Sequence, residues 1–106
     1  MSVVAKIFDE MPSRYLKGKV AKKTVFYFSI GSARYTVTLE PESITVEPDK
    51  KVEKADVVLK TTPELFEKMV LKGKMPGPID IARGKVKTND PLALKGLRDY
   101  FDFEGL

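Results

Sequence analysis

The chain contains no cysteine, no histidine and no tryptophan among its 106 residues. Without cysteine there is no disulfide, no thiolate nucleophile and no thiolate metal site. Without histidine the commonest general base near neutral pH, and the commonest metal ligand, are missing. No apolar run approaches the ~20 residues that a membrane-spanning helix needs. The N-terminus lacks the basic and apolar segments of a signal peptide, so a cytoplasmic location is the expectation. There is no internal repeat, low-complexity tract or linker, which predicts one domain over residues 1–106. A chain of this length buries roughly two-thirds of its unfolded surface, enough for a single core.

Charge is plentiful but uneven. Nineteen basic and 15 acidic residues leave a net charge of +4. Arg14, Lys17, Lys19, Lys22 and Lys23 form a basic run with no acid among them, and Arg83, Lys85 and Lys87 form a second cluster. The plain reading is a solvated loop and an exposed strand face. The sharper one is transient contact with an anionic membrane surface, where each well-placed Lys or Arg contributes about 1 kcal/mol. Nucleic acid is not expected as a partner, because the runs lack interleaved aromatics and carry no binding motif. Oligomeric state has no signature in the sequence.

Hydrophobic periodicity gives the elements. Val4, Ile7, Phe8 and Met11 recur at i, i+3, i+4 and i+7, one face of an amphipathic helix that Pro12 ends or bends. Thr24–Ile30, Tyr35–Leu39 and Ser43–Glu47 read as three strands of an antiparallel meander, linked by turns at Gly31-Ser32 and Pro41-Glu42. A charged loop leads to a fourth strand at Asp56–Thr61. Thr62-Pro63 suits an N-cap followed by a first-turn proline, although Thr61-x-x-Glu64 fits a capping box one residue earlier. The helix that follows sets Leu65, Phe66, Met69 and Val70 on one face, and Gly73 stops it. Met75–Ala82 is apolar but prolyl, a packed loop or short turn. Arg83–Thr88 is a fifth strand, and Asp90-Pro91 opens a last helix with Leu94, Leu97 and Phe101 aligned.

The tools of catalysis are scarce. The carboxylate pairs Asp80 with Asp90, and Asp99 with Asp102, belong to no recognisable motif and read as solvated surface. Gly73-Lys74 and Gly84-Lys85 lack the spacing of a phosphate loop and read as turn and strand-start glycines. Asp56 is expected to bond local backbone. The expectation is therefore a protein that is not an enzyme and that holds no metal and no cofactor.

In order and spacing the pieces resemble the sterol carrier protein family of lipid-binding domains. The matching residues are Phe26-x-Phe28, Tyr35-x-Val37-x-Leu39, Ala55-Asp56-Val57-Val58-Leu59, Thr62-x-x-Leu65-Phe66 with Met69, Lys72-Gly73-Lys74, Arg83-Gly84-Lys85-Val86-Lys87, and the helix of Leu94, Leu97 and Phe101. Asn89-Asp90 departs from the Gly-Asp or Gly-Asn turn common there. The resemblance implies a mixed α+β fold in the order α-β-β-β-β-α-β-α, with a five-stranded, mostly antiparallel sheet covered on one face by helices. It also implies a hydrophobic tunnel between sheet and helices that takes a fatty acyl, acyl-CoA, phospholipid or sterol-like ligand.

On that resemblance the function expected is non-catalytic lipid binding or transfer. The pocket residues would be Phe26, Phe28, Tyr35, Val37, Phe66, Met69, Val70, Met75, Ile79, Ile81, Leu94, Leu97 and Phe101. Ser29, Ser32, Tyr35, Arg83 and Tyr100 are the polar side chains available to orient a ligand at the mouth, and the sequence does not choose among them. The same apolar faces could simply pack together, since core and cavity use the same residue types. Two alternatives follow: a protein-interaction or regulatory module with a filled core, and an accessory domain that presents an acyl substrate to a separate enzyme.

Overall fold

A computed structural model describes residues 3–49, 52–74, 76–90, 93 and 96–104. Helix α1 (Val3–Arg14) precedes strands β1 (Thr24–Ile30), β2 (Ala33–Glu40), β3 (Ser43–Pro48) and β4 (Val57–Thr61). Then come α2 (Pro63–Lys72), the short α3 (Pro78–Ala82), β5 (Val86–Thr88) and a 3₁₀ turn at Leu97–Asp99. The class, the five strands and their order are those the sequence predicts; α3 is additional. The sheet runs β3-β2-β1-β4-β5, antiparallel except where β4 lies parallel to β1.

Register assigns every strand residue to a face, because directly opposed residues share one. Phe26 faces Val37 and Val57, and Phe28 faces Tyr35 and Leu59. With Ile30, Leu39 and Val86 they form the buried face, on which α1 lays Val4, Ile7, Phe8 and Met11, and α2 lays Phe66, Met69 and Val70. The other face carries Val25, Tyr27, Ser29, Arg34, Thr38 and Lys60. The crossover to β4 starts over it, where the buried Thr36 hydroxyl donates to the Asp49 carbonyl at 2.8 Å.

Polar side chains pin the ends of the elements. The Asp56 carboxylate accepts the Val25 amide at 2.8 Å, so it ties β4 to the neighbouring strand. Asn89 accepts the Val58 amide at 2.8 Å and donates to the Asp56 carbonyl at 3.1 Å. An asparagine where the resembled family favours glycine thus extends the sheet's bonding by one side chain. Thr62 is the N-cap of α2, its hydroxyl accepting the Leu65 amide at 3.2 Å; Thr61 instead donates to the Lys85 carbonyl at 2.9 Å. Tyr15 donates its hydroxyl to the Glu40 carbonyl, and burial, followed by the charge of Glu42, pushes its phenol up from the ordinary value.

Four boundaries differ from the sequence reading. Pro12 does not end α1, which runs to Arg14: Ser13 donates back to the Glu10 carbonyl at 3.0 Å, and Arg14 pairs with the Glu10 carboxylate at 3.1 Å. In the stretch expected to pack as a loop, Pro78–Ala82 is helical and exposes Ile79 and Ile81. One and a half turns opening on a proline cannot turn both residues, about 200° apart, to the same side. The fifth strand is shortened to Val86–Thr88, since Arg83, Gly84 and Lys85 donate back to the carbonyls of Ile79, Ile81 and Asp80 in a turn. The final periodic run is not one helix. Asp90 caps the amide of the helical Ala93 at 3.1 Å, but after Gly96 the bonds tighten to 3₁₀ spacing and Phe101 pairs with Tyr15 in a β-bridge.

Gly73 shows how the C-terminal segment locks α2. Its φ of 66° is left-handed, the conformation that ends helices on glycine. Arg98 lies across it and donates Nε to the Val70 carbonyl at 3.1 Å, covering one orphan carbonyl of the last turn with a cation. A methyl group at Gly73 would overlap the Arg98 guanidinium. Gly73→Ala is expected to lower stability by about 1–3 kcal/mol in urea melts, with faster amide exchange from Leu97 to Phe101. Unchanged exchange there would mean that Arg98 does not hold the segment.

Candidate functional site

The residues named as pocket wall fall into three groups. Phe26, Phe28, Val37, Phe66, Met69, Val70, Leu97 and Phe101 are buried in one core, with Tyr35 half-buried at its edge. Ile79 and Ile81 stand apart on α3, 66% and 58% exposed. Met75 and Leu94 lie outside the described residues.

Within the first group Phe26, Phe28, Tyr35 and Phe66 belong to one aromatic stack, whereas Phe101 meets Tyr15 and Phe103. Phe26 and Phe28 are stacked at 5.7 Å, and Phe28 meets Phe66 edge-on at 5.8 Å. The centre of the stack is Phe8, a residue the sequence reading placed on the helix face but not in the site. Its ring stacks on Tyr35 at 4.1 Å and on Phe66 at 5.4 Å, and tilts against Phe28 at 5.3 Å. The signal was present: Phe8 lies on the apolar stripe of α1, and Tyr35 points to the buried face of β2. Strand pairing and the placement of α1 over β2 and β3 are long-range facts that a stripe does not carry.

The stack reaches the surface at one edge. A groove of about 350 Å³ opens beside α1, lined by Ala5, Phe8, Asp9, Pro12, Tyr35 and Val46. That volume is at the small end of the ~300–1,000 Å³ of ligand pockets. Its floor is the Phe8–Tyr35 ring pair, and Asp9 supplies a carboxylate at the rim. Of the polar candidates for the mouth, Tyr35 lies at this groove, whereas Ser29 lies on the opposite sheet face. A second groove, of about 420 Å³, runs along Glu10, Ser13, Arg14, Tyr15, Leu16 and Asp102. Arg14 donates there to the carbonyls of Asp102 at 3.1 Å and Glu104 at 2.7 Å, which ties α1 to the C-terminal segment.

Three of the four carboxylates considered for chemistry, Asp80, Asp90 and Asp102, serve the backbone. Asp80 accepts the Gly77 amide at 3.2 Å, and Asp102 accepts the Glu104 amide at 3.1 Å. Among the described residues no group of three or more acidic side chains is placed to hold a metal ion, and no helix is long and apolar enough to cross a membrane.

No protein-family model matches the sequence, and neither does any curated protein. Solved structures do match in fold. The stereoselective inverting sec-alkylsulfatase of Pseudomonas sp. superposes with a TM-score of 0.76 at 22% identity, over 95% of this chain and 16% of that one. The chain therefore spans about a sixth of the enzyme's length. Sterol carrier protein 2 of Yarrowia lipolytica, in its apo form, matches with a TM-score of 0.50 at 17% identity, over 73% of this chain and 65% of that one. The ubiquinone synthesis protein UbiJ-SCP2 matches with a TM-score of 0.53 at 14% identity, over 93% of this chain and 74% of that one. The chain has the fold of these structures.

Proposed function

We propose that this chain is a non-catalytic binding domain for an aliphatic or sterol-like molecule: a fatty acyl chain, acyl-CoA, phospholipid or sterol. The observation that carries the reading is the groove of about 350 Å³ beside α1, where the aromatic stack reaches the surface at Phe8 and Tyr35. The likeness in fold to a sterol carrier protein and to part of a sec-alkylsulfatase supports it. Each buried CH₂ contributes about 0.8 kcal/mol, so a chain of ten carbons offers roughly 8 kcal/mol before ordering costs. Affinity then needs little polar recognition, and specificity among chain lengths is broad.

A second reading draws on the same likeness. A fold that makes up 16% of a sec-alkylsulfatase suits an accessory domain that presents an alkyl or acyl substrate to an enzyme. Both readings require apolar binding; a regulatory module with a filled core does not. Delipidated protein titrated with cis-parinaric acid, together with native mass spectrometry of gently purified protein, tests this. Saturable one-to-one binding is expected. Neither probe binding nor co-purified lipid would sink both binding readings and leave the filled-core module.

A further inference from the structure

The sheet face turned away from the helices carries a row of cations. Ser29 is opposed by Arg34 on β2 and by Lys60 on β4, and Lys60 is opposed by Lys87 on β5. Arg34, Ser29, Lys60 and Lys87 therefore lie in line across four strands, on one face. Like charges directly opposed across a ladder destabilise it. None of these cations has a carboxylate partner among the described residues, where the ion pairs are Arg14–Glu10 and Lys68–Glu64.

Beside the two middle members of this row is a groove of about 180 Å³, lined by Ser29, Gly31, Lys60, Thr61, Thr62, Gly84 and Lys85. It sits beyond the carboxyl ends of the two parallel strands, where α/β sheets commonly hold ligands. Thr62, the N-cap of the ten-residue α2, forms part of its wall, so the positive end of that helix faces it. Lys87 leans over Gly84, its Cε 3.9 Å from where a Cβ would stand. Ser29 is only 8% exposed, yet its hydroxyl has no hydrogen-bond partner among the described residues and opens on this groove. A serine hydroxyl open to the groove, two lysines at the wall and the N-cap of a helix together present donors and positive charge.

We propose that this groove binds a phosphate group, with Ser29 donating its hydroxyl and Lys60 and Lys85 pairing the charge. The site lies on the face opposite the aromatic stack and stands without the apolar-ligand reading. The phosphate has two possible sources, a soluble phosphate or phosphate ester and a phospholipid headgroup. The second is close at hand, because the Gly84–Lys85 turn that walls the groove bonds back to Ile81 and Asp80 of the exposed α3.

A ¹H–¹⁵N titration with sodium phosphate at constant ionic strength tests the site. Saturable shifts confined to Ser29, Gly31, Thr62, Gly84 and Lys85 are expected. The double variant K60Q/K85Q should weaken binding about tenfold or more, and S29A about threefold, with both folded. K60Q should also raise the melting temperature of the ligand-free protein, since it removes the opposed cation. Co-sedimentation with phosphatidylcholine vesicles, with and without phosphatidic acid, separates the sources. Loss of phosphatidic-acid binding in K60Q/K85Q supports the headgroup; unchanged vesicle binding beside lost phosphate binding supports the soluble source. Shifts that never saturate and spread equally to Lys17–Lys23, or a double variant that binds phosphate like the wild type, would overturn the proposal.

Discussion

Replacing Phe8 by alanine should remove about 3–5 kcal/mol from the stability of this domain, the range for deleting a fully buried phenyl ring. Domains of this size hold about 5–15 kcal/mol in total, so the loss is roughly a fifth or more of the whole. The cost is high because the ring touches three elements at once. It stacks on Tyr35 of β2 at 4.1 Å and on Phe66 of α2 at 5.4 Å, and tilts on Phe28 of β1 at 5.3 Å. Each aromatic contact adds about 0.5–1.5 kcal/mol to simple area burial. Neighbouring strands cannot collapse into the space, because the sheet registers of β1 and β2 are fixed by their ladder. Phe8→Leu keeps most of the volume and should cost under about 1.5 kcal/mol, which provides a folded comparison if the alanine variant unfolds.

The same substitution separates cavity from core. Alanine at position 8 joins the 350 Å³ groove to the interior between sheet and helices. If an aliphatic chain binds there, dodecanoate should raise the melting temperature of Phe8→Ala more than that of the wild type, because ligand binding adds to the native state alone. A fatty acid that stabilises neither protein would favour the filled-core module. A loss below about 1 kcal/mol for the alanine variant would contradict the stack itself.

What could be read from the sequence followed the range of each signal. Strand β1 was legible at both ends, because Thr24–Ile30 is a run of β-branched and aromatic residues between a lysine loop and a Gly-Ser turn. The N-cap at Thr62 was legible for a similar local reason, although the competing start at Thr61 was decided by a carbonyl 24 residues away, that of Lys85. The C-terminal run failed as a helix because its periodicity contained a glycine at position 96, and because Tyr15 offered Phe101 a backbone partner that no local pattern encodes. The apolar residues of the candidate site were legible as a set. Their division into a touching stack and an exposed pair was not, since Ile79 and Ile81 differ from Phe66 and Met69 only in how their short helix is held by Pro76 and Pro78.

That exposed pair gives the second large effect. The double variant Ile79→Asp and Ile81→Asp is expected to weaken binding to anionic vesicles about a hundredfold. The wild-type segment presents two isoleucines, 66% and 58% exposed, on a helix of five residues. Lys72 and Lys74 precede it and Arg83 and Lys85 follow it, all exposed. Asp80, the acid between them, is engaged by the Gly77 amide at 3.2 Å. The two isoleucines face opposite sides of the helix, so one inserts at a time; full burial of an isoleucine is worth about 1.5–3 kcal/mol, which at its upper end is a hundredfold, each tenfold in affinity being about 1.4 kcal/mol. The flanking cations add about 1 kcal/mol each at an anionic surface. Salt divides the two parts, because screening weakens the lysines over a Debye length of about 8 Å at physiological ionic strength but leaves the isoleucines untouched. Residual binding at high salt should therefore vanish in the double variant and persist when Lys72 and Lys74 are changed to glutamine. Both variants alter exposed side chains, so their melting temperatures should stay close to that of the wild type. If the double variant binds vesicles as the wild type does, the isoleucines do not enter lipid.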